Sequence, residues 1–155
     1  MAKKSEFNTK GNIKDLQVDY GKMPPQAVDL EEAVLGALML EKDSFSIVGD
    51  LLEPDAFYKD AHQRIFRAIH KLFINDEPVD LLTVTEALRQ SGELEQVGGA
   101  YYLAQLTSRV ASAVHIEFHA KIIVQKYLQR KLIGICTELQ SMAYDEATDV
   151  SDLMD

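Results

Sequence analysis

The sequence predicts an all-α protein, and three observations support that prediction. Beyond residue 24, apolar residues recur three and four positions apart, as they do on one face of a helix. Capping residues, glycines and prolines divide the chain into segments of helical length. No segment shows sustained alternation of apolar and polar residues, which is the pattern of a half-buried strand. We therefore expect a compact helical bundle followed by a long helix that begins a protruding helical hairpin.

The composition is that of one acidic domain. The 155 residues include 25 acidic and 16 basic side chains, which give a formal net charge of -9. Phosphate contacts need clustered Lys and Arg, so we expect little direct DNA binding. The single cysteine excludes an internal disulfide framework. No apolar run approaches the ~18 residues of a membrane span and the N-terminus does not read as a secretory signal, so we expect a cytoplasmic protein without membrane contact.

The first helix is expected to follow a tail and a proline pair. Residues 1–23 show no sustained period, and we predict that they form a disordered N-terminal tail. Asp29 is placed to cap the first helix, with Glu32 at the spacing of a capping box. The apolar stripe of this helix consists of Ala33, Val34, Ala37, Leu38 and Leu40.

Two further helices are predicted before residue 75. A cap at Asp43 precedes a short helix that Pro54 ends. The next helix is expected from about Asp60 to Phe73. Its predicted buried face consists of apolar residues spaced three and four apart: Ile65, Phe66, Ile69, Leu72 and Phe73.

Two shorter helices follow a turn at residues 75–78. Thr83 with Glu86 suggests a second capping box, in a helix that ends at Gly92. Gly98 and Gly99 precede the other helix, and we interpret them as a tight turn. They do not belong to a phosphate-binding loop, since neither a Walker A motif nor G-x-G-x-x-G occurs in the chain.

The segment 112–144 predicts one long helix with two apolar stripes. It contains no proline, and Gly134 is its only glycine. We expect the first stripe, which includes Ile116 and Ile123, to pack on the bundle and the second to pack against another helix. The second stripe supplies the predicted self-association residues, which are Leu128, Leu132, Ile135, Leu139 and Met142.

The residues after 148 have the caps and spacing of a helix that has barely begun when the chain ends. We therefore interpret the chain as a piece of a longer protein, divided into a helical bundle at 24–111 and, at 112–155, a long helix with the start of a hairpin.

The side chains that could take part in catalysis or bind a metal do not form a catalytic site. His115 and His119 have a zinc-compatible spacing but no third ligand, so no metal site is predicted. Cys136 lies among apolar residues, and we expect it to be a small core hydrophobe. One cationic set, at Lys121, Lys126, Arg130 and Lys131, is expected to be a solvated face, with docking of an acidic partner and of nucleic acid as the second and third interpretations.

Several stretches, in their order and spacing, carry a resemblance to a known family. They are Pro24-Pro25 with Glu32-Ala33-Val34-Leu35-Gly36, Phe57-Tyr58 with His62 and Ile65-Phe66, Pro78-Val79-Asp80-Leu81-Leu82-Thr83-Val84, Gly98-Gly99-Ala100-Tyr101-Tyr102-Leu103, Ala120-Lys121-Ile122-Ile123 and Arg130-Lys131-Leu132-Ile133. From residue 24 to residue 155 the chain resembles the N-terminal domain of the bacterial DnaB-type replicative DNA helicases. Asp29 and His115 depart from the usual residues of that family, Glu and Asn.

The resemblance implies a non-catalytic domain that works through protein contacts. In that family the domain is a helical bundle with a protruding hairpin, pairs through its hairpins and builds a collar of three dimers on a hexameric ring. The collar docks the C-terminal domain of DNA primase and, in some bacteria, a helicase loader. ATP and magnesium belong to the motor domain, which is absent here, so no cofactor is expected in this chain.

The same resemblance suggests which residues dock primase. Tyr102 matches the tyrosine of the Gly-Gly-x-x-Tyr-Leu pattern, and Ile133 and Leu139 are our choices on the first hairpin helix. A tyrosine can anchor an interface while remaining half wet. Two alternatives stay open: Tyr102 caps the bundle core, or the domain is an auxiliary nucleic-acid-binding module.

Overall fold

The computed structural model describes residues 22–110 and 112–155. Within these ranges it forms seven helices and no strand, which confirms the all-α prediction. The helices are α1 (Val28–Leu40), α2 (Ser44–Val48), α3 (Asp60–Ile74), α4 (Leu81–Gln90), α5 (Gly99–Ser108), α6 (Ile116–Tyr144) and α7 (Val150–Met154), with a 3-10 turn at Pro54–Ala56. Apart from residues 22 and 23, the predicted tail at 1–23 lies outside the described residues.

Helix α1 lies at the centre of the bundle, where it packs against α3, α5 and α6. Val34, Leu35 and Leu38 are fully buried on it. Each such side chain contributes roughly 1.5–3 kcal/mol of transfer free energy when it leaves water. The bundle is completed by α4, which packs against α3 and α5.

Helices α1 and α5 approach so closely that only glycine fits between them at position 36. A Cβ atom on Gly36 would lie 2.3 Å from the Leu106 carbonyl oxygen and 2.5 Å from Val110 Cγ2. Real Cβ contacts are never this short, so the backbone of α1 rests almost directly on α5.

The helix starts differ from the capping boxes predicted by spacing. Helix α1 begins one residue before Asp29, because the amides of Leu30 and Glu31 both donate to the Ala27 carbonyl. The Asp29 and Glu32 side chains are therefore inside the helix, and no side chain caps it. Asp43 precedes α2 as predicted but makes no side-chain cap.

The predicted Thr83–Glu86 box is also wrong. Thr83 is the third residue of α4, and its partner is Asp80, which precedes the helix. The Asp80 carboxylate accepts from the Thr83 amide at 2.9 Å, and the Thr83 hydroxyl accepts from the Asp80 amide at 2.9 Å. The reciprocal pair satisfies two amides that the helix itself leaves unpaired.

Helix α6 starts in the core and continues into solvent. Ile116, Ala120 and Ile123 are buried against the bundle, as predicted for the first stripe. Every residue from 131 to 139 is exposed. Its 29 residues span about 44 Å, and the short α7 contacts it.

The exposed half of α6 corrects one expectation. Cys136 is exposed rather than a core hydrophobe. Its apolar neighbours in sequence, Ile133, Ile135 and Leu139, are exposed as well, because the bundle does not reach this part of the helix.

Candidate functional site

The side chain of Tyr102 belongs to a chain of hydrogen bonds that crosses three helices. Its hydroxyl on α5 lies 2.7 Å from Nε2 of His62 on α3. Nδ1 of His62 lies 2.6 Å from Oε2 of Glu31 on α1. His62 thus joins the Glu31 carboxylate on one side of its ring to the Tyr102 hydroxyl on the other.

The inner members of this chain are fully enclosed. Glu31 is 1% exposed and His62 is 0% exposed. The second Glu31 oxygen accepts from the Tyr58 amide at 2.6 Å. Among the described residues, no buried side-chain nitrogen or oxygen is left without a partner. A carboxylate can remain in an apolar core only when it is satisfied in this way.

Tyr102 itself is half-buried, with its hydroxyl fixed from several sides. Its ring is parallel to the His62 ring at a centroid distance of 6.1 Å. Burial, followed by the neighbouring Glu32 carboxylate, raises the pKa of Tyr102 to about 12. The Tyr102 hydroxyl donates to Oε1 of Glu32 at 3.4 Å, and Arg109 donates to Oε2 of Glu32 at 2.9 Å. The tyrosine therefore stays protonated and combines an anchored hydroxyl with a partly accessible ring.

The glycine pair before α5 makes room for this tyrosine. Gly98 has a φ of 104°, in the left-handed region, and a Cβ on it would lie 2.9 Å from Tyr102 Cβ. The tight-turn interpretation of the Gly-Gly pair is confirmed, and the spacing of the Gly-Gly-x-x-Tyr pattern follows from this contact.

A second surface is the exposed apolar face of the C-terminal half of α6. Its five large residues are spaced four, three, four and three apart and are between 39% and 62% exposed: Leu128, Leu132, Ile135, Leu139 and Met142. This is the spacing of a and d positions in a heptad, so the five side chains share one face of the helix. We call this set the apolar stripe.

The three predicted docking residues lie on two different helices. Tyr102 lies on α5, which packs against α1 and α4. Leu139 belongs to the apolar stripe, whereas Ile133 is exposed about 120° around the helix from it. In the described part of the chain, α5 and α6 share no extensive contact.

Arg130 departs from the predicted solvated cationic face. Its guanidinium donates to the Pro25 and Ala56 carbonyl oxygens, at 2.8 Å each. It also lies 5.5 Å from the centre of the Tyr58 ring and 5.8 Å from that of Tyr127. Desolvation, followed by a hydrogen bond with Glu53, raises the pKa of Tyr127. Arg130 is thus held by the bundle rather than by water.

The remaining cations and the histidine pair lie nearer to solvent. Lys121 pairs with Glu117 at 2.7 Å, with both side chains exposed. The rings of His115 and His119 lie 6.3 Å apart between centroids. The described residues include no group of three or more His, Cys, Asp or Glu side chains placed to hold a metal ion. In the same residues, no helix has the length and apolar character that a membrane crossing needs.

A groove of about 620 Å³ lies along the surface where α3 meets α4 and shows no catalytic arrangement of side chains. Its lining mixes bases such as Arg67 and Lys71 with acids such as Glu86 and Glu93. Hydrogen bonds from Gln90 and Arg89 lower the pKa of Glu86, which is the behaviour of an ordinary surface carboxylate.

Sequence reasoning missed Glu31 and His62, although a signal was present. Glu31 lies three, four and seven residues before Val34, Leu35 and Leu38, so it occupies a core position of α1. His62 stands in the same relation to Ile65, Phe66 and Ile69 in α3. One polar residue on the buried face of each of two helices indicates a pair that meets in the core.

Comparison with known proteins identifies the family. Residues 23–125 match the model of the DnaB-like helicase N terminal domain. The chain is 51% identical to the replicative DNA helicase DnaB of Rhodothermus marinus, over 95% of this chain and 16% of that protein. It is 39% identical to the replicative DNA helicase DnaC of Bacillus subtilis, over 86% of this chain and 29% of that protein. The chain therefore spans less than a third of the length of these curated relatives.

Solved structures show the same fold. The crystal structure of the N-terminal domain of DnaB helicase from Mycobacterium tuberculosis matches with a TM-score of 0.81 and 37% identity, over 86% of this chain and 94% of that one. A structure of a DnaB-like replicative helicase and its interactions with primase matches with a TM-score of 0.66 and 27% identity, over 74% of this chain and 26% of that one. With its helical architecture and sequence in agreement, the chain belongs to the DnaB-like helicase N-terminal domain family.

Proposed function

We propose that this chain is a non-catalytic assembly domain of a replicative DNA helicase. In this proposal it self-associates through the apolar stripe of α6, builds the collar of a hexameric ring from paired domains, and docks the C-terminal domain of DNA primase. A helicase loader is a further partner. ATP and magnesium act in a motor domain outside this chain, which itself carries no Walker A loop.

The observation that supports self-association best is the apolar stripe. Five large aliphatic or methionine side chains on one helix face are 39–62% exposed. Contiguous apolar surface of this kind on a monomer usually marks an interface. The four-three spacing suits packing against a second helix, since a and d side chains of one helix fit between those of its partner.

Docking of primase is supported by the similarity to a helicase whose structure was determined for its interactions with primase. The half-buried Tyr102 ring offers the kind of anchor that dominates protein interfaces. The exposed Ile133 and Leu139 offer apolar contacts on α6. The net charge of -9 favours a basic partner surface and faster encounter with it.

The charge distribution favours protein partners over nucleic acid. Among the cationic residues of α6, Arg130 donates to backbone carbonyls and Lys121 pairs with a carboxylate. Phosphate binding needs such cations to be available on one surface, in an environment that is not dominated by acidic residues.

The proposal is tested by sedimentation equilibrium across a concentration series. Leu132→Asp places a charge in the apolar stripe and is expected to weaken self-association about thirtyfold or more, as loss of a hot spot does. Ser141→Asp is the matched control, because residue 141 is exposed on the same helix, nine positions and so half a turn away from Leu132. A parent chain that stays monomeric throughout, or a Leu132→Asp chain that associates like the parent, contradicts the proposal.

A further inference from the structure

We propose that Arg130 is a positioning residue that sets the direction in which α6 leaves the bundle, and thereby the geometry of the apolar stripe. The inference rests on the proposed self-association, which it deepens by assigning the residue that prepares each chain for pairing. Arg130 itself is not required to touch the partner.

The contacts of Arg130 join three separate segments. The side chain projects from α6 and donates to carbonyl oxygens of the stretch before α1, at Pro25, and of the 3-10 turn, at Ala56. The planar guanidinium can hold two acceptors in a fixed orientation, which a lysine ammonium cannot do. The rings of Tyr58 and Tyr127 lie near the same group and restrict its movement further.

Arg130 lies at the boundary between the buried and the exposed part of α6, so its contacts affect the direction of the exposed part. Ile123, seven residues earlier, is 1% exposed, whereas the residues from 131 to 139 are all exposed. Among the described residues of α6, Arg130 is the outermost one with a hydrogen bond to the bundle. It therefore lies where α6 leaves the bundle, and we call the part of α6 beyond it, residues 131–144, the arm.

A small change of angle at this point moves the apolar stripe considerably. The 14 residues from 131 to Tyr144 extend about 21 Å beyond Arg130. A swing of about 10° there displaces the end of the arm by roughly 4 Å, which is close to the spacing of neighbouring knobs and holes in a helix pair. If the direction of the arm varies in this way, only the molecules whose arms point in the correct direction can pair.

The direct test is a distance measurement between the arm and the bundle. Cys136 is the only cysteine and is exposed on the arm, so it accepts one spin label without substitution. Lys71→Cys supplies the second label at an exposed position of α3. Labelled chains are diluted into an excess of unlabelled chains, so that only the two labels of one molecule lie close together. Electron–electron double resonance then measures the distribution of distances between the two labels, which reports the direction of the arm.

Arg130→Gln removes both carbonyl contacts and is expected to broaden the distance distribution. Lys131→Gln is the control, since Lys131 is the next residue, also lies over the Tyr127 ring and makes no hydrogen bond to the described part of the bundle. If the pairing-competent direction falls to about one third of the population, the dimer Kd rises about tenfold, because both chains must be competent.

Each outcome bears on one part of the inference. An unchanged distribution in folded Arg130→Gln overturns it, and Arg130→Lys, which keeps the charge but not the planar fork, decides the same question if Arg130→Gln does not fold. A broadened distribution with an unchanged dimer Kd overturns the link to pairing. If the parent chain never associates, the proposed function fails, while the distance distributions still decide whether Arg130 positions the arm.

Discussion

Glu31 and His62 meet inside the bundle with Oε2 of one 2.6 Å from Nδ1 of the other, although they are 31 residues apart in sequence. Neither is more than 1% exposed. The free oxygen of Glu31 binds the Tyr58 amide, and the free nitrogen of His62 binds the Tyr102 hydroxyl. A buried pair of this kind tolerates only one relative placement of α1 and α3, because any shift between the helices leaves a polar group unpaired.

The first prediction concerns this pair. Glu31→Ala and His62→Ala are each expected to lower the free energy of unfolding by about 1–3 kcal/mol or more, since each leaves a buried polar partner without its hydrogen bond. The double variant is expected to lose less than the sum of the single losses, because the second change removes the group that the first one stranded. Urea unfolding measures all three values.

Asp29→Ala is the control for that series, because Asp29 is exposed on the same helix and makes no side-chain cap. Its effect is expected to stay within about 0.5 kcal/mol. Strictly additive losses at Glu31 and His62 would show that the two side chains do not depend on each other.

The second prediction separates the two roles open to Tyr102. Tyr102→Phe keeps the ring but leaves His62 Nε2 without its hydroxyl partner, so stability is expected to fall by about 1–3 kcal/mol. Affinity for the primase C-terminal domain, per folded molecule, is expected to remain. Tyr102→Ala also removes the ring and is expected to cost about 2 kcal/mol or more of binding free energy.

Calorimetric titration with the primase C-terminal domain measures the binding free energy, and thermal unfolding measures the stability of each variant. Tyr101→Ala is the matched control, because this neighbouring tyrosine is 75% exposed and lies outside the hydrogen-bond chain. If the Tyr102→Ala chain binds primase as tightly as the parent per folded molecule, Tyr102 serves the core alone and docking lies elsewhere.

The third prediction is a pH dependence in the alkaline range. The pKa of Tyr102 is about 12 in the folded chain, against an ordinary value of 10.0. The unfolded chain therefore loses this proton first, so the stabilisation from neutral Tyr102 is complete below about pH 10 and declines as the pH rises towards 12. Unfolding measured across this range is expected to show a shallower loss of stability in Tyr102→Phe than in the parent. If the free energy of unfolding fell equally steeply with pH in both chains, deprotonation of Tyr102 would not contribute to the loss of stability.

The fourth prediction compares two helical glycines. Gly36→Ala is expected to lower stability by about 1–3 kcal/mol or more, because the new methyl group meets the Leu106 carbonyl and α1 must move away from α5. Gly134→Ala, on α6, meets nothing within 4 Å and is expected to raise stability by up to about 1 kcal/mol through helix propensity. Melting temperatures of both variants provide the measurement, and a neutral Gly36→Ala would contradict the close approach of the two helices.

The helices were predictable where periodicity decided their limits. For α3 the predicted range of Asp60 to Phe73 differs from the observed one by a single residue, because its apolar spacing is regular. Phe73, which was expected on the buried face, is 41% exposed, because it lies at the end of the helix and at the edge of the core. The helix starts were less predictable, since capping-box spacing alone also fits residues inside a helix, as it did at Asp29 and Thr83.

The candidate site was predictable only in part, for a different reason. The apolar stripe follows from spacing along one helix, but the partners of Tyr102 come from α1 and α3, which only the tertiary fold brings together. Likewise, Cys136 and Ile123 stand in equally apolar surroundings in the sequence, but only Ile123 is buried, because the bundle does not reach Cys136.

The passage of α6 from core to solvent divides one continuous helix into two levels of hydrogen-exchange protection. Amides around Ala120 and Ile123 are buried in the bundle, so their exchange requires the bundle to open. Amides beyond Arg130 are held by helical hydrogen bonds alone and exchange through local fraying. A partner that covers the apolar stripe would slow exchange in the outer segment first, so the boundary at Arg130 provides a residue-resolved record of assembly within a single helix.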